Sequence, residues 1–108
     1  MIAPAMIVVL TSCGSAEEAD RIAGALVAER LAACVQILPV RSVYRWRGAI
    51  ERASEWQLQI KTRAALADRV EARIVALHGY ELPEILVFPV EAGSAGYIDW
   101  VGTETSDS

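Results

Sequence analysis

Glu55-Trp56-Gln57-Leu58-Gln59-Ile60-Lys61-Thr62 alternates polar and apolar residues without a break. A period of two places Trp56, Leu58, Ile60 and Thr62 on one face of a β-strand and Glu55, Gln57, Gln59 and Lys61 on the other. Upstream, Val35 and Ile37 follow Cys34 on one parity, whereas Ser42, Tyr44 and Trp46 share the other parity after Pro39. A proline at such a change predicts a bulge or bend. Gly48 permits the turn that joins the two runs, so the segment reads as one long β-hairpin, strands two and three of the chain.

Helical patterns flank this hairpin. On its N-terminal side Ser15 and Glu18 have capping-box spacing, and Ala19, Ile22, Ala23, Leu26 and Val27 follow at helical intervals, predicting a helix from about Ala16 to Leu31. On its C-terminal side Leu66, Val70, Ile74 and Leu77 form a stripe that ends near His78-Gly79. Ile7 to Leu10 reads as a short central strand before the first helix, and Ile85 to Val90 as a fourth strand after the second. Ser94 to Val101 suits a short helix, and residues 102–108 read as a flexible tail. The order β-α-β-β-α-β plus a terminal helix defines an α+β, ferredoxin-like domain over residues 1–108. Both main helices then cover one sheet face. The apolar first and fourth strands leave the other face in need of cover, which implies oligomerisation.

With 108 residues the chain holds one core, burying roughly two thirds of its unfolded surface. Its 54% hydrophobic content exceeds the usual share, yet no apolar run approaches the roughly 18 residues of a membrane span, so partner copies are the better destination for the surplus. A net charge of −4 argues against nucleic acid. Arg41, Arg45, Arg47 and Arg52 cluster on the hairpin but are interleaved with Glu51 and Glu55, as on a solvated strand edge. Two cysteines, Cys13 and Cys34, make no disulfide scaffold, and the opening residues lack a basic signal-peptide region; the expected location is the cytoplasm.

The densest cluster of chemistry is His78-Gly79-Tyr80-Glu81-Leu82-Pro83-Glu84, between a helix and a strand. The plain reading is a helix stop with the histidine set against the helix dipole. As a metal site it would combine His78 with Glu81, Glu84 or Cys13, because a lone imidazole needs further N, S or carboxylate donors. Cys13 falls in the expected loop before the first helix, where a nearby helix N-terminus would lower its pKa. Cys34, between apolar residues, reads as a buried structural thiol. A second reading is a small-molecule cleft with Tyr44, Trp46, Tyr80 and Trp100 as walls, Lys61 as cation and Glu84 as carboxylate; the same aromatics would also serve as interface anchors. No catalytic triad, phosphate loop or paired-histidine motif is present, so no enzymatic activity is expected.

Glu29-Arg30-Leu31-Ala32-Ala33-Cys34-Val35, Ser42-x-Tyr44-x-Trp46-x-Gly48, Lys61-Thr62, His78-x-Tyr80-Glu81-x-Pro83-Glu84, Pro89-Val90-x-x-Gly93 and Tyr97-x-x-Trp100 occur in this order along the chain. Together these segments resemble the CutA1 divalent-cation tolerance family. The resemblance implies a homotrimer assembled through its strands, similar in architecture to the PII signalling proteins. It also implies a cytosolic role in divalent-metal tolerance, copper above all. Copper-binding members carry a cysteine and a second histidine where this chain has Thr11 and Leu77, and more often a proline where it has Gly79, which would make the turn less rigid here. An acylphosphatase-like hydrolase, the fold-level rival, needs an arginine in the loop after strand one; Thr11 to Ser15 contains none.

Overall fold

The computed structural model describes residues 5–106. Cys34–Trp46 (β2) and Ala49–Arg63 (β3) pair antiparallel from Cys34 opposite Lys61 to Trp46 opposite Ala49, with no residue inserted. Of the bulge or bend expected at Pro39, the bulge is therefore absent. Pro39 lies opposite Trp56 in regular register, and it is tolerated because β2 is an edge strand, where a missing N–H need cost no ladder bond. The apolar parity changes for another reason. The two groups lie on opposite faces of one regular hairpin: Val35 and Ile37 pack on the helix-side core, while Ser42, Tyr44 and Trp46 share the other face, where Tyr44 and Trp46 are exposed. Arg47 and Gly48 both have positive φ, 49° and 83°, the pattern of a type I′ turn, whose twist matches that of the strands.

Met6–Cys13 (β1) lies between β3 and Leu86–Pro89 (β4), giving the antiparallel order β2-β3-β1-β4. Ala16–Ala28 (α1) and Ala67–Leu77 (α2) complete the ferredoxin-like βαββαβ order, α2 being preceded by a 3-10 turn at Ala64–Leu66. β1 is longer than the apolar run Ile7 to Leu10 suggests. Thr11 and Cys13 continue the inward parity of Ile7 and Val9 and pair with Leu58 and Trp56, so the expected loop Thr11 to Ser15 shrinks to Gly14-Ser15. The core joins Val9, Leu58 and Ile60 to Ile22 and Leu26 of α1 and Val70 and Ile74 of α2, none more than 1% exposed. Removing one such leucine or isoleucine side chain costs about 2–5 kcal/mol.

α1 stops three residues short of Leu31. Leu31 N–H reaches Leu26 O at 2.9 Å and Arg30 N–H reaches Val27 O at 3.1 Å, a Schellman closure with Arg30 at φ 59° in the position glycine usually takes. Tertiary bonds support that conformation. The Arg30 guanidinium donates to Thr103 O and Ser106 O, each at 2.8 Å, at the end of Ala95–Glu104 (α3). Arg63 adds bonds to Thr105 O at 2.8 Å and Thr105 Oγ1 at 3.1 Å. Residues 102–104, expected as part of a flexible tail, are thus the last turn of a pinned helix, and Thr105 is buried; Asp107 and Ser108 lie outside the described residues.

α3 packs against β3 and β1, and its partner Arg63 has the outward parity of Lys61, so α3 covers one end of the face away from α1 and α2. The rest of that face carries Val8, Leu10, Leu38, Leu86 and Phe88 around a polar strip in which Lys61 donates to Gln36 and Gln59 donates to Gln57 at 3.3 Å. Leu86, Val87 and Phe88 are nearly half exposed on the edge strand. Among the described residues no helix is long and apolar enough to cross a membrane.

Candidate functional site

The connection from α2 to β4 crosses the end of β1, and hydrogen bonds from β1, α1 and the hairpin hold it there. His78 is the C-cap of α2; its N–H closes the helix on Ile74 O at 2.8 Å, while its extended backbone turns the chain away. Ring Nε2 lies 2.8 Å from Ser12 O, a carbonyl that can only accept, so Nε2 carries the proton. Nδ1 accepts the Tyr80 N–H at 3.1 Å. Both ring nitrogens are engaged. Gly79 N–H donates to Glu18 Oε2 at 2.8 Å, which corrects the expectation of a loose turn: this amide is anchored, and proline would have none to offer. The capping box is accordingly half made. Ser15 Oγ accepts the Glu18 N–H at 3.1 Å, but the Glu18 carboxylate serves Gly79 instead of the cap.

Cys13, Glu18 and His78 each place a ligand atom within 4.8 Å of the others. Sulfur, oxygen and nitrogen together suit a borderline or soft divalent ion. Two adjustments accompany the fit: the thiol must lose its proton, and a ring nitrogen must exchange its present partner. Cys13 is the last residue of β1 and fully buried, not a loop residue. Burial, followed by the neighbouring Glu18 carboxylate, pushes its thiol up to about 11, opposite to the lowering expected from the helix N-terminus. Glu81 does not join the cluster, because its carboxylate pairs with Arg47 at 2.7 Å on the surface. Glu84 accepts weakly from Ser12 Oγ at 3.4 Å and faces a different space. Glu18 was hidden in the sequence by its capping-box spacing, which accounts for it without any ligand role.

That space is a cleft of about 560 Å³ between the distal hairpin and the loop, lined among others by Ser42, Tyr44, Trp46, Glu55, Tyr80 and Glu84. The Tyr80 hydroxyl donates to Glu55 Oε2 at 2.7 Å, and the ring passes over Gly14, where a Cβ would approach the phenol oxygen to 3.2 Å. Burial and Glu55 hold the phenol well above the usual tyrosine range. Of the residues expected to wall a cleft, Tyr44, Trp46, Tyr80 and Glu84 come together here. Lys61 and Trp100 do not: Lys61 pairs with Gln36 at the other end of the hairpin, and Trp100 packs on Tyr97 of α3 with ring centroids 5.6 Å apart. Glu55 was masked by its place in a polar parity that reads as solvated. Cys34 is half-buried rather than buried, and its thiol faces Tyr97, whose phenol is raised by burial first and Cys34 second.

A ferredoxin-like sheet with a long β2–β3 hairpin and an added C-terminal helix defines a small class of α+β proteins. The chain matches the CutA1 divalent ion tolerance protein family over residues 7–104 and belongs to it. It is 43% identical to the divalent-cation tolerance protein CutA of Thermus thermophilus over 91% of this chain and 96% of that one. With a chloroplastic CutA protein of Oryza sativa it shares 38% identity over 94% of this chain, which spans 58% of that longer protein. Among solved structures, CutA from Synechococcus elongatus superimposes with a TM-score of 0.93 at 38% identity, covering 98% of this chain and 95% of that one. A CutA from Archaeoglobus fulgidus described as periplasmic gives 0.92 at 36% identity, covering 94% and 99%.

Proposed function

We propose that this protein is a divalent-cation-responsive binding module, working as a cytoplasmic homotrimer without catalytic activity. The observation that carries the metal reading is the convergence of Cys13, Glu18 and His78 within 4.8 Å. Cu(II) and Zn(II) are the ions its mixed S, O and N donors suit best. The names of its relatives agree with a role in divalent-cation tolerance. Because the candidate donors also anchor the loop through Ser12 O, Gly79 N–H and Tyr80 N–H, metal binding competes with loop anchoring, a physical basis for a response.

Calorimetric titration of the metal-free protein with Cu(II) and Zn(II) tests this, run beside His78→Ala and Glu18→Ala. Stoichiometric binding that His78→Ala loses and Glu18→Ala weakens supports the site. Binding unchanged in both variants overturns it. The trimer reading is supported by the half-exposed edge of Leu86, Val87 and Phe88 beside an apolar open face; a monomeric mass at micromolar concentration would reject it.

The cleft favours a second reading, a PII-like trimer that binds a small molecule with no direct metal role. Its volume falls in the range of small-ligand sites, and aromatic walls around a few carboxylates fit that use. A purely scaffolding trimer would bind neither metal nor small ligand.

A further inference from the structure

We propose that the cleft between the distal hairpin and the α2–β4 loop is a receptor for a small organic cation bearing an ammonium or guanidinium group. This rests on the reading of the cleft as a small-molecule site and names its ligand class. Tyr44, Trp46 and Tyr80 contribute aromatic side chains from two separate elements, β2 and the loop. The face of such a ring carries the negative end of its quadrupole, so aromatic walls favour a cation. Glu55 and Glu84 add carboxylates, whereas no lysine or arginine is among the residues that line the cleft. Neither carboxylate belongs to an ion pair among the described residues. Glu55 is only 8% exposed, with a phenol rather than a cation as its partner. A carboxylate removed from water in that way is best offset by an arriving positive charge.

The chain already displays this mode of recognition at the rim. The Arg47 guanidinium carbon lies 5.2 Å from the centroid of the Trp46 ring, and the same side chain pairs with Glu81 at 2.7 Å. An aromatic face and a carboxylate thus hold one cation at the mouth of a cleft that offers the same two groups deeper in. Lys61, the residue that would have suited the cleft to an anion, lies at the far end of the hairpin.

The test is a titration of the metal-free protein with choline and agmatine, read by tryptophan fluorescence and calorimetry. The controls are 3,3-dimethylbutanol, the neutral isostere of choline, and inorganic phosphate as an anion. Saturable binding of a cationic probe is expected, weakened roughly tenfold or more in Glu55→Gln and in Tyr44→Ala, with no saturable binding of the alcohol or phosphate. Arg47→Ala removes the competing internal cation and is expected to tighten binding, a gain that misfolding cannot imitate. Equal binding of the neutral isostere, binding of phosphate alone, or indifference to Glu55→Gln would overturn the cation class while leaving a small-molecule site. Failure of all four probes would overturn that reading as well and assign the cleft to contacts between subunits.

Discussion

Glu18 Oε2 accepts the Gly79 N–H at 2.8 Å, so the first turn of α1 holds the chain just beyond the end of α2. A Cβ at Gly79 would come within 2.7 Å of that oxygen. Gly79→Ala must therefore displace the carboxylate and free the amide, with an expected loss of about 1 kcal/mol of stability in urea unfolding. In a Glu18→Ala background the further loss should largely vanish. Equal losses in the two backgrounds would show that the coupling does not exist.

The Tyr80 phenol titrates above the ordinary tyrosine value of 10.0, through burial first and its hydrogen bond to Glu55 second. Between the unfolded and folded pKa values the native state holds the extra proton, so this contribution to stability is complete below about pH 10 and declines as pH rises. Ultraviolet titration of wild type against Tyr80→Phe should isolate a late-ionising phenol, and Glu55→Gln should bring its midpoint down. A Tyr80 midpoint at the ordinary value would contradict the geometry.

Cys13 differs from Cys34 in reach and in chemistry. It is fully buried, and its thiol is raised from 9.0 to about 11, so the metal-free protein should resist alkylation at pH 8 while Cys34 reacts first. In a Cys34→Ala variant the pH profile of alkylation should rise toward about 11. The sign for folding is the same as for Tyr80: the native state retains the proton, so the stabilisation from Cys13 is present below pH 9.0 and lost as pH climbs through about 11. Fast modification of Cys13 at neutral pH would contradict its burial.

Arg30 combines a strained backbone with a useful side chain. Its φ of 59° costs about 1 kcal/mol relative to glycine, while its guanidinium caps Thr103 O and Ser106 O. Arg30→Ala keeps the strain and loses the cap, so a loss of about 1–2 kcal/mol is expected. Arg30→Gly relieves the strain and should recover about 1 kcal/mol of that. Thermal unfolding of the two variants checks the order, and a glycine variant less stable than the alanine one would reverse the argument.

Periodicity alone determined the element order. The alternation from Glu55 to Thr62 and the helical stripes of Ile22 and Leu26 and of Val70 and Ile74 are local consequences of which face meets the core, and the core is what the ferredoxin-like order builds. The quoted motifs likewise carried the family, since each residue type can be read where it stands. Other features arise only when distant segments meet. Thr11 and Ser12 look like loop residues until β3 pairs with them, Gly102 to Glu104 look frayed until Arg30 reaches them, and a parity change at Pro39 looks like a slip until the register proves regular.

The candidate site divides in the same way. His78, Cys13, Tyr80, Tyr44, Trp46 and Glu84 could be named from their chemistry. Their sorting into two neighbouring sites, the recruitment of Glu18 and Glu55, the exclusion of Glu81 from the donor cluster and the exclusion of Lys61 and Trp100 from the cleft depended on tertiary structure. Residue type is written in one dimension, but a hydrogen bond or a shared cleft depends on distances the fold sets across 66 residues for His78 and Ser12 and 61 for Gly79 and Glu18.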